Sequence, residues 1–337
     1  MNDSGQKIPK DHYVPQFYLD AFAIEGPGQE MPHIYQYMKD KIVDPRIKDV
    51  ASEKHFYTVR DKETGADIRD IDKFFTDAEG LAAGPLKKII ETEEINLEYK
   101  DLASLAAFVA LLAVRTPGFI NGQQSMGEEA IKEMMALRAT DINQMQKSYE
   151  EAGIFLSGKE LEEQQKFVLE KRYSVSFGNK GYFLAQGLEV ARDLAQWYYE
   201  QKHWHLLVSD SDRVFVTSDN PISIYRPVFV PPAMNAGYGN GTLFLPISPK
   251  LAILLRDIPH KNQKIKLNRK RVDDFNRNTA RFSTNYIFSN LKSKQVHEMH
   301  KKIENKEFQK TTVKRHKWAP YIFMGPPPVP EEPLLKT

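Results

Sequence analysis

From Asp70 the apolar residues of the chain recur every three or four positions. Ile71, Phe74, Phe75, Ala78, Leu81 and Ala82 share one face, and Leu86, Ile89 and Ile90 continue it beyond Gly84-Pro85. This spacing predicts an amphipathic helix. Leu102, Leu105, Ala106, Val109, Leu112 and Ala113 predict a second helix, almost wholly buried. Thr116-Pro117 stops it, because the residue before proline avoids the α region. A long polar helix is expected from about Gly118 to Glu151, with Ile131, Met134, Met135, Leu137, Ile142 and Met145 as its core face. Ser157-Gly-Lys-Glu160 has the capping-box pattern and opens a helix to about Tyr173, and another runs from Tyr182 to Gln201. No repeat unit is detectable in this block.

On both sides of the helices the period drops to two. His203–Val208, Val214–Ser218, Ile222–Tyr225, Leu243–Leu245 and Leu251–Leu255 read as strands. Near the start, Ile34–Tyr37 and Ile42–Val43 predict a hairpin around Lys39-Asp40-Lys41, and the stretch 52–59 ends in another strand. A short helix opens after Pro15, a residue suited to the first helical position. Later come a helix over Arg269–Ser283, a strand over Tyr286–Phe288 and a charged helix over Val296–Lys310. Pro231–Gly241 is a Gly/Asn/Pro loop, either a mobile lid or a surface loop.

The fold class expected is α+β, with a mostly helical middle (about 70–201) packed on a mixed or antiparallel sheet built from both ends of the chain. A disordered lead (1–10) precedes a single domain over 11–317. Its 11–69 and 203–290 parts are sheet-rich, 70–201 is the helical block and 291–317 a basic helix. A proline-rich tail (318–337) follows.

The 337 residues supply ample material for a core, and the absence of cysteine excludes disulfides, thiolate catalysis and cysteine-ligated metals. The polar start argues against a signal peptide. The longest apolar run, Leu102–Val114, has 13 residues, short of the ~18 that a membrane span needs. A cytoplasmic protein with no membrane contact is the expectation. The net charge of +2 is unevenly spread: residues 1–255 hold 28 Lys+Arg against 37 Asp+Glu, and residues 256–317 hold 18 against 6. That asymmetry suggests nucleic acid as a partner. The competing reading is a basic segment neutralising the acidic part of the same molecule. Oligomeric state cannot be read from the sequence.

Candidate chemistry gathers where an apolar run breaks off, at Val214-Phe-Val-Thr-Ser-Asp-Asn-Pro221. A strand ending this way delivers a carboxylate, an amide and two hydroxyls at the rim of a sheet. Asp219 and Asn220 suit orienting a water, binding a divalent cation (magnesium or manganese) or bonding a substrate; an Asx-type turn is the plainer alternative. His12, beside Asp11 and just before Pro15, suits a general acid/base. Arg115 closes an apolar helix and must find a carboxylate or phosphate. Glu79 is its obvious partner, or a second carboxylate beside Asp219. Lys270, Arg277 and Arg281 are seven and four apart, so they can form one phosphate-binding stripe. His203-x-His205 and His297-x-x-His300 are weaker metal pairs with no third ligand indicated. Gly237-Tyr-Gly-Asn-Gly241 lacks the Lys-Ser/Thr end of a P-loop.

Three stretches carry a resemblance: His12-Tyr-Val-Pro-x-Phe-Tyr-Leu19, Arg115-Thr-Pro117, and Phe215-Val-Thr-Ser-Asp-Asn-Pro221 with Pro246-Ile-Ser-Pro249. The chain resembles an uncharacterised bacterial domain-of-unknown-function family over roughly residues 11–290. The resemblance implies a shared fold and brings no established activity; its setting is compatible with bacterial defence or a toxin role. The preferred expectation is a phosphodiester hydrolase, most plainly a nuclease. His12 would be its acid/base, Asp219 and Asn220 would orient water or a cation, and Arg115 would offset phosphate charge. The alternatives are a non-catalytic interaction protein and an enzyme or sensor of a free nucleotide.

Overall fold

The computed structural model describes residues 10–57, 59–60, 67–68, 70–177, 180–226, 237–260, 263–304, 313–316, 319–322 and 329–330. The expected lead, most of the Pro231–Gly241 loop, the end of the last helix and most of the proline-rich tail lie outside these residues.

The first strand, β1 (Lys10–His12), leads through Tyr13 and Val14 into α1 (Gln16–Asp20), which starts directly after Pro15 and buries Tyr18 and Leu19. β2 (Tyr35–Tyr37) and β3 (Ile42–Val43) form the expected antiparallel hairpin. The strand expected to run on to Val59 is interrupted. β4 (Ser52–Lys54) is bracketed by Ala51 and His55 at φ 48° and 56°, and it pairs antiparallel with β1. A separate pair, β5 (Val59–Arg60) and β6 (Asp67–Ile68), follows.

α2 (Asp70–Thr92) continues through Pro85, and its buried face is Phe75, Ala82, Leu86 and Ile89. Phe74 and Leu81, expected on that face, are exposed. α3 (Tyr99–Val114) is buried without a break from Phe108 to Val114. α4 (Pro117–Ala139) has Pro117 at its start and Thr116 as N-cap, whose Oγ1 accepts from Phe119 N at 3.4 Å. The single long helix expected to Glu151 is two helices. Asp141 Oδ1 accepts from the backbone N–H of Asn143 (3.0 Å) and Gln144 (3.2 Å), which starts α5 (Ile142–Glu151). A carboxylate that satisfies two free donors there makes a break cheaper than continuation. The core face also differs: Met134, Met135 and Leu137 are exposed, while Ala139 and Met145 join Leu161 and Val168 in a small satellite core. α6 (Gly158–Leu169) has the predicted capping box between Ser157 and Glu160. α7 (Lys180–Glu200) lies close on α3, where a Cβ at Gly187 would sit 3.2 Å from the Phe119 ring and 3.4 Å from Val114.

The remaining elements are β7 (His203–Ser209), β8 (Thr217–Ser218), β9 (Ser223–Arg226), β10 (Thr242–Pro246), β11 (Leu251–Arg256), β12 (Lys264–Leu267), α8 (Arg269–Phe282), β13 (Ile287–Ser289), α9 (Lys294–Glu304), β14 (Val313–His316), β15 (Ala319–Ile322) and β16 (Val329–Pro330). A mixed six-stranded sheet runs in the order β12-β7-β11-β10-β9-β16. It is antiparallel from β7 to β9 and parallel where β12 and β16 join. On one face Leu206, Ile224, Leu243, Leu245 and Ile253 meet the helical block; on the other, Leu207, Tyr225, Phe244 and Leu254 pack with Val272 and Phe275 of α8. A four-stranded sheet, β3-β2-β13-β8, joins the start of the chain to its later part. The architecture is the expected α+β, with a sheet built from both ends.

Two strand expectations are corrected. Val214–Ser218 shrinks to Thr217–Ser218, because the Asn276 amide stands in for a neighbouring strand. It accepts from Val216 N (3.0 Å) and donates to the Val214 carbonyl (2.8 Å). β12, in the basic segment where no strand is expected, buries Ile265 and Leu267 beside outward Lys264 and Lys266, a two-residue alternation.

Candidate functional site

Arg115 and Glu79 pair near the turn between β1 and α1, within range of the His12 ring, which feels both charges. Arg115 is 2% exposed at the end of α3. Its Nε donates to the Tyr13 carbonyl (3.0 Å), its Nη1 donates to Glu79 Oε1 (2.7 Å), and the Phe75 ring centroid lies 5.0 Å from its guanidinium carbon. The third nitrogen, Nη2, is buried without a hydrogen-bond partner. Such a donor is costly to leave unmade, by roughly 1–3 kcal/mol and more for a charged group. The Glu79 side chain remains 25% exposed, so the buried guanidinium is linked to a carboxylate that reaches solvent.

His12 is half-buried on the same side. Its Nε2 lies 3.0 Å from the Lys48 carbonyl. A carbonyl only accepts, so Nε2 carries the hydrogen and Nδ1 holds the lone pair of the neutral ring. Burial pulls the imidazole below its usual range, against the Lys48 bond and the Glu79 charge, while Lys10 and Arg115 pull it further down. The ring is therefore neutral at pH 7, with a basic nitrogen beside the Glu79–Arg115 pair. The neighbouring Asp11 is occupied otherwise, its Oδ2 accepting from Tyr57 N at 3.0 Å.

Asp219 and Asn220 lie deeper, where β8 ends. Asp219 is fully buried, and its carboxylate gathers a backbone turn: Oδ1 accepts from Thr284 N (2.7 Å), Oδ2 from Asn285 N (2.6 Å) and Tyr286 N (3.1 Å). Burial pushes its carboxyl up to about 7 against these three bonds. Asn220 Nδ2 donates to the Phe282 carbonyl (2.9 Å), and its Oδ1 accepts from Thr116 Oγ1 (3.4 Å). The two hydroxyls are also engaged: Ser218 Oγ donates to the Asn220 carbonyl (2.7 Å), and Thr217 Oγ1 lies 2.7 Å from the Tyr18 hydroxyl, which itself donates to the Pro246 carbonyl. Gly118 lets α4 approach this knot, since a Cβ there would stand 2.9 Å from Thr284 Oγ1. The strand end thus ties the sheet to α4 and to the turn after α8. Tyr13 connects it to the first cluster: its carbonyl binds Arg115, and the Asp219 charge helps raise its hydroxyl above the usual tyrosine range, after burial.

The basic stripe is not uniform. Lys270 and Arg277 are exposed, Arg277 pairs with Asp274, and Arg281 is only partly exposed beside Tyr225. Much of the surrounding charge is matched internally, by Lys264–Glu93 (2.9 Å), Arg269–Asp212 (2.5 Å) and Arg213–Asp273 (3.2 Å). His203 is exposed while His205 is buried, with the His260 ring 6.1 Å away. His297 Nε2 lies 3.1 Å from the Met38 carbonyl, and His300 is buried. No group of three or more His, Asp or Glu that could hold a metal comes together among the described residues.

Sequence reasoning missed Tyr13, Phe75 and Asn276. Tyr13 and Phe75 read as ordinary core aromatics, and Asn276 sits on a basic helix where nothing marks it as facing inward.

Among the described residues no single helix is long and apolar enough to cross a membrane. No curated protein and no solved structure matches the chain. The family DUF4238, proteins of unknown function, matches residues 10–293, and the chain belongs to that family.

Proposed function

We propose that the protein is a phosphodiester hydrolase, a nuclease in the first instance, working at the His12–Glu79–Arg115 cluster. The observation that carries this reading is the buried Arg115 guanidinium whose Nη2 has no partner, beside a neutral histidine and a part-exposed carboxylate. A phosphate oxygen is the acceptor such a nitrogen lacks. His12 Nδ1 takes the proton of an attacking water as its oxygen bonds to phosphorus and the ester P–O bond breaks; the leaving oxygen takes a proton from solvent, and His12 releases its own to solvent. Arg115 offsets the charge that builds on the phosphoryl oxygens, and Glu79 fixes the guanidinium plane. Asp219 and Asn220 hold the turn after α8 and take no direct part. Lys270 and Arg277 are the exposed cations offered to a nucleic acid.

The test is incubation of labelled RNA and DNA with wild type, His12→Ala and Arg115→Lys, in magnesium, manganese or EDTA. Cleavage lost in both folded variants supports the site, and the EDTA arm decides whether a cation takes part. A second reading, a non-catalytic interaction protein, is favoured by the complete engagement of the Asp219 carboxylate with backbone. Intact substrate throughout would select it.

A further inference from the structure

Ser52 of β4 stands directly across from His12. β1 and β4 pair antiparallel, with Asp11 opposite Glu53 and His12 opposite Ser52. Residues directly opposite in such a pair project to one face, with Cβ atoms about 4.5–5.5 Å apart. Asp11 and Glu53 alternate to the other face, and Asp11 is spent there on Tyr57 N. Ser52 Oγ, by contrast, is buried and makes no hydrogen bond. With no bond to break, it turns freely among its staggered χ1 wells, on the face that His12 shares.

The backbone fixes this juxtaposition at a cost. Ala51 and His55, on either side of β4, have φ of 48° and 56°, a left-handed conformation that costs a non-glycine residue roughly 1–3 kcal/mol. Tyr13 N donates to the Ala51 carbonyl at 3.0 Å, which locks the residue before Ser52 to the residue after His12. The same Tyr13 carries the Arg115 guanidinium on its carbonyl. The histidine is itself oriented: Nε2–H is held by the Lys48 carbonyl, so the lone pair lies on Nδ1. A hydroxyl facing a base that a third group orients is the arrangement of covalent catalysis, and in a free enzyme the bond between the two is often long until substrate binds.

We propose that Ser52 is the nucleophile of this site, activated by His12, and that it forms a phosphoryl-serine intermediate. The proposal rests on the reading of His12 as the base and divides the same hydrolysis into two steps. In the first, Ser52 gives its proton to His12 Nδ1 as Oγ bonds to phosphorus. The substrate ester P–O bond breaks, and the imidazolium returns the proton to the leaving oxygen. In the second, the water attack described above opens the ester to Ser52. His12 takes the proton of that water and passes it to Ser52 Oγ.

The experiment is incubation of the full chain with diisopropyl fluorophosphate, followed by intact and peptide mass spectrometry and by cleavage of labelled RNA and DNA. Oγ displaces fluoride from this probe without any nucleic acid. The variants are Ser52→Ala, which removes an oxygen that makes no bond, and His12→Ala, each checked for folding by circular dichroism. One adduct per chain is expected, on Ser52, absent in Ser52→Ala and slowed about 100-fold or more in His12→Ala. An adduct on Ser52 with both polymers left intact would keep the pair and refute the nuclease reading. No adduct on Ser52, labelling as fast in His12→Ala as in wild type, or cleavage by Ser52→Ala at the wild-type rate would overturn the proposal.

Discussion

Replacing Asp219 by alanine removes one carboxylate and strands three backbone donors, the N–H groups of Thr284, Asn285 and Tyr286. A buried donor left unsatisfied costs roughly 1–3 kcal/mol. Asn285 is exposed and Thr284 and Tyr286 are partly so, so water can reach the turn once it loosens, and the lower bound applies. The expected loss is about 3 kcal/mol, a large share of the ~5–15 kcal/mol that holds a protein folded. Urea unfolding of wild type and Asp219→Ala reads this as a lower midpoint, and amide exchange at 284–286 should accelerate in the variant. An alanine variant within about 0.5 kcal/mol of wild type, the ordinary range for a neutral surface change, would refute the structural role. If such a variant also lost nucleic-acid cleavage, Asp219 would be a catalytic group after all.

The same carboxyl predicts a pH dependence. Its folded value of about 7 lies above the ordinary 3.8, so the native state holds the proton longer than the unfolded chain. Its contribution is present below pH ~4 and is lost as pH rises through ~7, up to ~4 kcal/mol in all. The stability difference between wild type and Asp219→Asn should therefore shrink across that window. A difference that grows with pH would mean that the three N–H bonds outweigh burial. Arg115→Met leaves Glu79 without its partner and frees the Tyr13 carbonyl, with an expected cost of about 3 kcal/mol by denaturant melting; Arg115→Lys should cost less yet still abolish cleavage. Asn276→Ala removes both bonds that hold Val214 and Val216, and should lower stability by about 2 kcal/mol; an unchanged melting curve would contradict its role. Asp141→Ala deletes the cap that separates α4 from α5, at about 1 kcal/mol, read by thermal melting.

Much of the fold is legible because burial is periodic. The strands of the central sheet and the buried α3 carry long, regular apolar runs, and Ser157-Gly-Lys-Glu160 marks a helix start that the structure keeps. Legibility fails where a polar side chain replaces a backbone partner. Nothing local to Val214–Val216 tells that Asn276, sixty residues on, supplies its bonds, and Asp141 breaks a helix whose apolar period runs through it. The outward Met134, Met135 and Leu137 show the converse, since alanines at 136 and 139 take the closer packing. Of the candidate residues, Glu79 was legible as the partner of Arg115 from residue type and context, and the structure pairs the two, with His12 within range of their charges. The sequence did not distinguish them from Asp219, whose carboxylate is consumed by a turn more than sixty residues away.

The most direct measurement is cleavage of labelled RNA and DNA by wild type and by folded Arg115→Lys, at matched protein concentration. Lysine keeps the charge but not the guanidinium fork that reaches Tyr13, Glu79 and a phosphate oxygen together. Cleavage by wild type that falls at least a hundredfold in the lysine variant is the predicted result. A wild type that leaves both polymers intact, or a lysine variant as active as wild type, would contradict a phosphodiester hydrolase built on this cluster.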